Sequence, residues 1–269
     1  MYHSVMRIVS LCPSLTELVF DLGHGESLVG RTKFCVHPAD RVAAIEKVGG
    51  TKNPKIDRII ALAPDLVLLN EEENRREDAE ALAAAGIACH VSFPRTALDT
   101  AAMVRSIADA IHAPEAGERI ARDIETRHQR VVQAREGRGD VRFAYLIWRE
   151  PWMAVNADTF VSALLADAGG RNVFASEPDR YPTITPEQLR ASDPDIVLLS
   201  TEPFPFKASH ADELARLSGV PRERFRVVDG EMLSWHGSRT PNGIDYAEQV
   251  IADTLRSAGY AAPAPSRHA

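Results

Sequence analysis

Along the chain, apolar runs of four or five residues alternate with longer stretches in which apolar positions recur every three or four residues. The runs predict buried parallel strands and the longer stretches predict helices covering them. "RIVSL" (7–11) is the first strand. "SLTELVFDLG" follows as a helix, with Ser14 and Glu17 spaced as a capping box and Leu15, Leu18, Val19 and Leu22 turned inward. "SLVG" (27–30) gives a second strand that ends in the loop "RTKFCVHPAD". A helix over Asp57–Leu62, a strand over Leu66–Leu69, the helix "EDAEALAAAG" and the strand "IACHVSF" complete the first half.

The second half repeats the order. "RFAYLIW" (142–148) reads as a strand, "TFVSALLADAGG" as a helix, "PEQLRAS" as a helix and "DIVLL" as a strand. "ADELARLS" (helix), "RFRVVDG" (strand) and a closing helix over about 246–257 follow, and "REPWMAVNAD" is long enough for an extra hairpin. The repeat has a register: Pro64-Asp65 lies under Pro194-Asp195, an offset of 194 − 64 = 130. At that offset Val67, Leu68 and Leu69 fall on Val197, Leu198 and Leu199, and Asp57 falls on Glu187. Internal duplication of a helix–turn–strand unit predicts two related α/β lobes.

Between the halves, residues 98–135 are helical in pattern with a break at Ala113-Pro114. Proline suits a first helical turn, so a new helix of some twenty residues begins there, roughly 30 Å long. The expected organisation is an N-terminal α/β lobe over 1–97, a helical strut over 98–140, a C-terminal α/β lobe over 141–258 and a disordered Pro/Ala tail over 259–269.

Composition narrows the function. The 269 residues are 45% hydrophobic and 26% charged, a globular balance. A net charge of −7 argues against a nucleic-acid binder, and the longest apolar runs fall short of a membrane span. Three cysteines, Cys12, Cys35 and Cys89, are not a disulfide framework. "MYHSVMRIVSLCPS" lacks a basic region followed by an apolar one, so no secretory signal is expected and the given start implies the cytoplasm.

Ligands of open α/β sheets gather beyond the carboxyl ends of the strands. There the sequence places Lys33 and Phe34, then Trp148, Arg149 and Trp152, then Phe204 and Phe206, then Trp235, His236 and Arg239, with Tyr181 nearby. An aromatic cleft with several cations suits a large flat or anionic ligand. A tryptophan at a strand end is as often a plug of the core. Cys35 and His37 form a C-x-H pair that His236 could join as a metal site, although the spacings of a structural zinc are absent. No nucleophile elbow or phosphate loop is present.

"RIVSLCPSLTELVFDLG", "LVGRT", "IALAPDLVLLN", "LAAAGI", "GGRNVF" and "LRASDPDIVLL" resemble the helical-backbone, class III substrate-binding proteins of ABC importers for vitamin B12, ferric siderophores and haem. The resemblance covers about Arg7 to Leu255. It implies an α/β fold of two Rossmann-like lobes with parallel sheets joined by one long rigid helix. It also implies a monomeric periplasmic receptor, not an enzyme and not membrane-inserted, that holds its ligand in an interlobe cleft and needs no cofactor of its own. The acidic residues that dock onto the permease dimer correspond to Asp57 and Glu187, with Asp where Glu is usual. The ligands it implies are a cobalamin-like corrinoid first, on Trp148, Trp152, Trp235 and Phe34. A ferric siderophore on Arg149 and Arg239 is second, and haem on His37 or His236 is third. The rival reading is a cytoplasmic metal-binding protein or enzyme using Cys35, His37 and His236.

Overall fold

The structure is a computed structural model and is described here for residues 6–257. The expected disordered tail over 259–269 lies outside those residues. The chain divides into two compact units. The first takes the residues up to Pro94, then Leu98–Ile124 and His236–Arg239; the second takes Arg95–Ala97, Glu125–Trp235 and the chain from Thr240.

The elements of the first half run β1 (Ile8–Ser10), α1 (Pro13–Asp21), β2 (Leu28–Arg31), α2 (Ala39–Val42) and β3 (Glu46–Lys47). They continue with α3 (Ile56–Ala61), β4 (Leu66–Asn70), α4 (Arg76–Ala84) and β5 (Ala88–Ser92). The five strands form a parallel sheet in the order β3-β2-β1-β4-β5. Every residue of β1 and β4 is buried. Each fully buried Val or Leu there contributes roughly 1.5–3 kcal/mol, which holds these strands at the centre of the sheet. Next come α5 (Ala97–Ala110) and the 21-residue α6 (Pro114–Ala134), which starts on proline at the expected break.

The second half contains β6 (Val141–Trp148), β7 (Met153–Ala154), α7 (Phe160–Asp167), β8 (Gly170–Asn172), α8 (Pro186–Ala191) and β9 (Ile196–Ser200). It ends with α9 (Ala208–Ser218), β10 (Phe225–Val228), α10 (Gly230–Ser234) and α11 (Thr240–Ser257). β10, β9, β6 and β8 are parallel, and β7 folds back antiparallel on β6 as the extra hairpin.

The repeat is visible in the backbone. α3 and β4 shifted by 130 become α8 and β9 at every boundary. The turns between them carry matching left-handed residues, Ala63 at φ 44 and Asp193 at φ 43. In both units the Pro-Asp aspartate is clamped to the first strand of its sheet. Asp65 Oδ2 accepts from the Arg7 N–H at 2.8 Å, and Asp195 Oδ2 accepts from the Arg142 N–H at 2.8 Å.

Two local expectations are corrected. Ser14 does not cap α1: the extended Cys12 is the cap residue, Pro13 takes the first helical position and no side chain caps the helix. The capping box belongs instead to α8, between Thr185 and Gln188. α11 starts at Thr240, six residues before the expected Tyr246, because Pro241 is accommodated in its first turn.

Candidate functional site

In each sheet the chain reverses its winding direction at the central pair, β1/β4 in the first and β6/β9 in the second. The crevice at such a switch point, past the strands' carboxyl ends, is where open α/β sheets bind ligands. The two switch points have different contents.

The first is polar and filled. Asn70, the last residue of β4, is buried and uses both ends of its amide. Its Oδ1 accepts from the Glu72 and Glu73 N–H groups at 3.0 and 3.3 Å. Its Nδ2 donates to the Ser92 carbonyl at 3.1 Å and meets His236 Nε2 at 3.3 Å. Because that amide nitrogen can only donate, His236 Nε2 accepts, and its ring proton is on Nδ1. Ser14 Oγ lies 3.4 Å from the same Nε2. Burial holds the imidazole neutral and pushes its pKa down to about 4. Asn74, also buried, donates to the carbonyls of Leu11 and Thr51 and accepts from the Asn70 N–H.

Three sequence-derived candidates become structural residues of this unit. Arg239 is bound at both ends of its fork to Glu17, at 2.9 and 2.7 Å. His236 is part of the buried network above. Cys35 is fully buried, its sulfur 3.0 and 3.1 Å from the hydroxyls of Thr16 and Thr32, and burial raises its pKa. Cys12 is pushed up to about 12 by burial, so neither thiol offers a thiolate. The expected Cys35/His37/His236 metal set does not assemble: among the described residues no group of three or more His, Cys, Asp or Glu side chains is placed to hold a metal. A ligating cysteine must shed its proton, and a buried thiol with hydroxyl neighbours resists that. Among the large apolar side chains this unit exposes is Phe34, 50% accessible, with the Lys33 ammonium 4.9 Å above its ring. His37 is half-buried beside them in sequence.

The second switch point is aromatic. Trp148 ends β6 and is 40% exposed, packed edge-on against Phe204 at 5.8 Å. Phe204 meets Phe206 at 4.8 Å, and Phe206 stacks on Trp152 at 6.1 Å and 9°. His210 closes the cluster against both phenylalanines. Phe206 and Trp152 serve mainly as core, backing the exposed indole. Arg149 lies over Trp152 at 5.8 Å but is bound to Glu213 at 3.0 and 2.9 Å and to Glu150 at 2.7 Å. Tyr181 is half-buried under Arg180, which pairs with Asp158. Trp235 is 8% exposed and therefore a core plug, not a platform.

Sequence reading missed Asn70, Asn74, Glu150 and Glu213. A polar residue terminating an all-apolar run, as in "LVLLN", was the available signal for Asn70. Nothing in local spacing marks Glu213 as the partner of Arg149, 64 residues away.

Residues 8–221 match the family model described as Periplasmic binding protein. The chain is 29% identical over 201 residues to the vitamin B12-binding protein of Photorhabdus laumondii, covering 74% of this chain and 72% of that one. It is 28% identical over 240 residues to the vitamin B12-binding protein of Vibrio parahaemolyticus, covering 89% and 87%. Its fold matches the crystal structure of the periplasmic vitamin B12-binding protein BtuF of Vibrio cholerae with a TM-score of 0.80 at 21% identity, covering 93% and 98%. The apo periplasmic heme-binding protein RhuT from Roseiflexus sp. RS-1 matches with a TM-score of 0.80 at 24% identity, covering 95% and 100%. At those identities the structural matches speak for the fold.

Proposed function

The chain belongs to the periplasmic binding protein family, and from that premise we propose that it is a solute receptor that presents a cobalamin-like corrinoid to an ABC importer. The observation that carries the reading is the exposed Trp148 on its bed of Phe204, Phe206 and Trp152 at a sheet switch point. A flat, rigid indole edge backed by packed rings binds planar ligands at little entropic cost. The names of the curated relatives support a corrinoid ahead of haem or a ferric siderophore. Phe34, Lys33, His37 and Tyr181 are retained as further ligand contacts. Cys35, Trp235, His236 and Arg239 are not.

The receptor works by binding rather than catalysis, requires no cofactor and acts as a monomer in the periplasm. Among the described residues no helix is long and apolar enough to cross a membrane. Docking to the permease falls to Asp57 and Glu187, both exposed, each in the first turn of a six-residue helix, at equivalent places of the repeat. The Glu187 carboxyl is held below the usual range by its own backbone N–H and the Thr185 hydroxyl, so it stays charged.

Tryptophan fluorescence titrated with cyanocobalamin, a ferric siderophore and haemin tests the reading. Saturable quenching by cyanocobalamin is expected at micromolar concentration or below. Trp148→Ala should weaken it by about tenfold, the equivalent of about 1.4 kcal/mol. Asp57→Ala and Glu187→Ala should leave affinity unchanged. A protein that no chelate quenches is not this receptor.

A further inference from the structure

The arginine that a sequence reading assigns to an anionic ligand is already occupied. Arg149 spends Nε and Nη2 on the two oxygens of Glu213 and Nη1 on Glu150. Glu150 holds a left-handed backbone, φ 64, unusual for a residue with a Cβ, and from there its carboxylate reaches the guanidinium. One cation, on the residue that follows the exposed indole in the chain, therefore carries two carboxylates. The Glu213 carboxyl is held below its usual range, first by its hydrogen bonds to Arg149 and further by His210 and Arg216 on its own helix, so it stays ionised on the guanidinium.

A ligand that brought carboxylates to Trp148 would have to displace Glu213 or Glu150 from Arg149 or lie against them. Like charges brought together across an interface discriminate strongly between partners. A ligand bordered by carboxamides meets no such opposition and can donate to the outer carboxylate oxygens. We infer that the ligand edge resting on Trp148 is uncharged and amide-bearing, and that Glu150 and Glu213 set this specificity by occupying Arg149. The inference rests on the solute-receptor reading above and narrows it, since corrinoids carry amides where haem carries propionates.

Two corrinoids with the same ring isolate the effect: dicyanocobinamide, whose periphery is amides, and dicyanocobyrinic acid, whose periphery is carboxylates. Both are titrated into the full chain and followed by tryptophan quenching. Cobinamide should bind at least about 30-fold tighter, and the gap should shrink at high salt as the charges are screened. The double variant E150Q/E213Q frees Arg149 and should narrow the gap by about tenfold or more. E150Q alone changes a side chain 75% exposed, leaves the fold intact, and should narrow the gap in part. Cobyrinic acid binding within about threefold of cobinamide overturns the inference while leaving the receptor reading intact, as does a gap unmoved in both variants. If neither corrinoid binds, the receptor reading itself fails and takes the inference with it.

Discussion

The two units share a helix, a turn and a strand in register, down to the left-handed residue of the turn and the aspartate that clamps it. They part company at the last residue of the shared strand. In the first unit that position is Asn70, the hub of a buried hydrogen-bond network; in the second it is Ser200, beside a cluster of rings. The scaffold is therefore common, and the difference in purpose is carried by the side chains placed on its last turn. One switch point is sealed by polar groups that satisfy each other, while the other leaves an indole in the open.

The sharpest way to break that contrast is to truncate both hubs. Asn70→Ala removes one acceptor of the Glu72 and Glu73 N–H groups and one donor to the Ser92 carbonyl and His236 Nε2 inside a buried network, and should cost about 3 kcal/mol. Ser200→Ala removes the acceptor of the Tyr145 hydroxyl at 3.0 Å, but that hydroxyl also bonds Ser234, so about 1 kcal/mol is expected. Urea denaturation of the two variants measures both. Equal costs would mean that the first switch point is no more tightly sealed than the second.

Acid probes the same asymmetry. His236 is neutral in the fold with a pKa near 4 and titrates near 6.5 when unfolded. The unfolded chain therefore binds the proton first. The stability attached to this group is complete above about pH 6.5 and is lost as the pH falls towards 4, by roughly 3 kcal/mol in all. Urea midpoints taken between pH 7.5 and 4 should fall less steeply in His236→Gln than in the natural chain. Parallel curves would show that the imidazole is not buried neutral.

The repeat, the alternation of strands and helices and the break at Pro114 were all legible because they are local: periodicity and punctuation report on neighbours in sequence. The candidate site was legible by residue type and illegible by pairing. Trp148 and Phe204 were correctly grouped at strand ends, since the strand ends themselves could be read. Arg149 and Arg239 looked like free cations because the carboxylates that occupy them, Glu213 and Glu17, stand 64 and 222 residues away. His236 looked like a loop histidine because its partner Asn70 is 166 residues distant. Ser14 had the spacing of a cap, yet Pro13 fits the first helical turn and displaced it.

The smallest effect tests the similarity of the two units instead of their difference. Ala63 and Asp193 occupy the same left-handed turn position, where a Cβ is unfavourable by about 1 kcal/mol. Ala63→Gly should therefore stabilise the first unit by somewhat less than that, since glycine also loses more entropy on folding. Asp193→Gly relieves the same strain but surrenders a carboxylate that bonds Arg142 at 2.8 Å and Arg224 at 3.0 Å. Those are surface ion pairs of about 0.5 kcal/mol each, so the substitution should come out near zero. Differential scanning calorimetry on both variants gives the comparison. A rise in melting temperature for Ala63→Gly with no change for Asp193→Gly is the expected pattern. A fall for Ala63→Gly would mean that the duplicated turn is not under the same backbone strain in the two units, and that the repeat ends with its hydrophobic register.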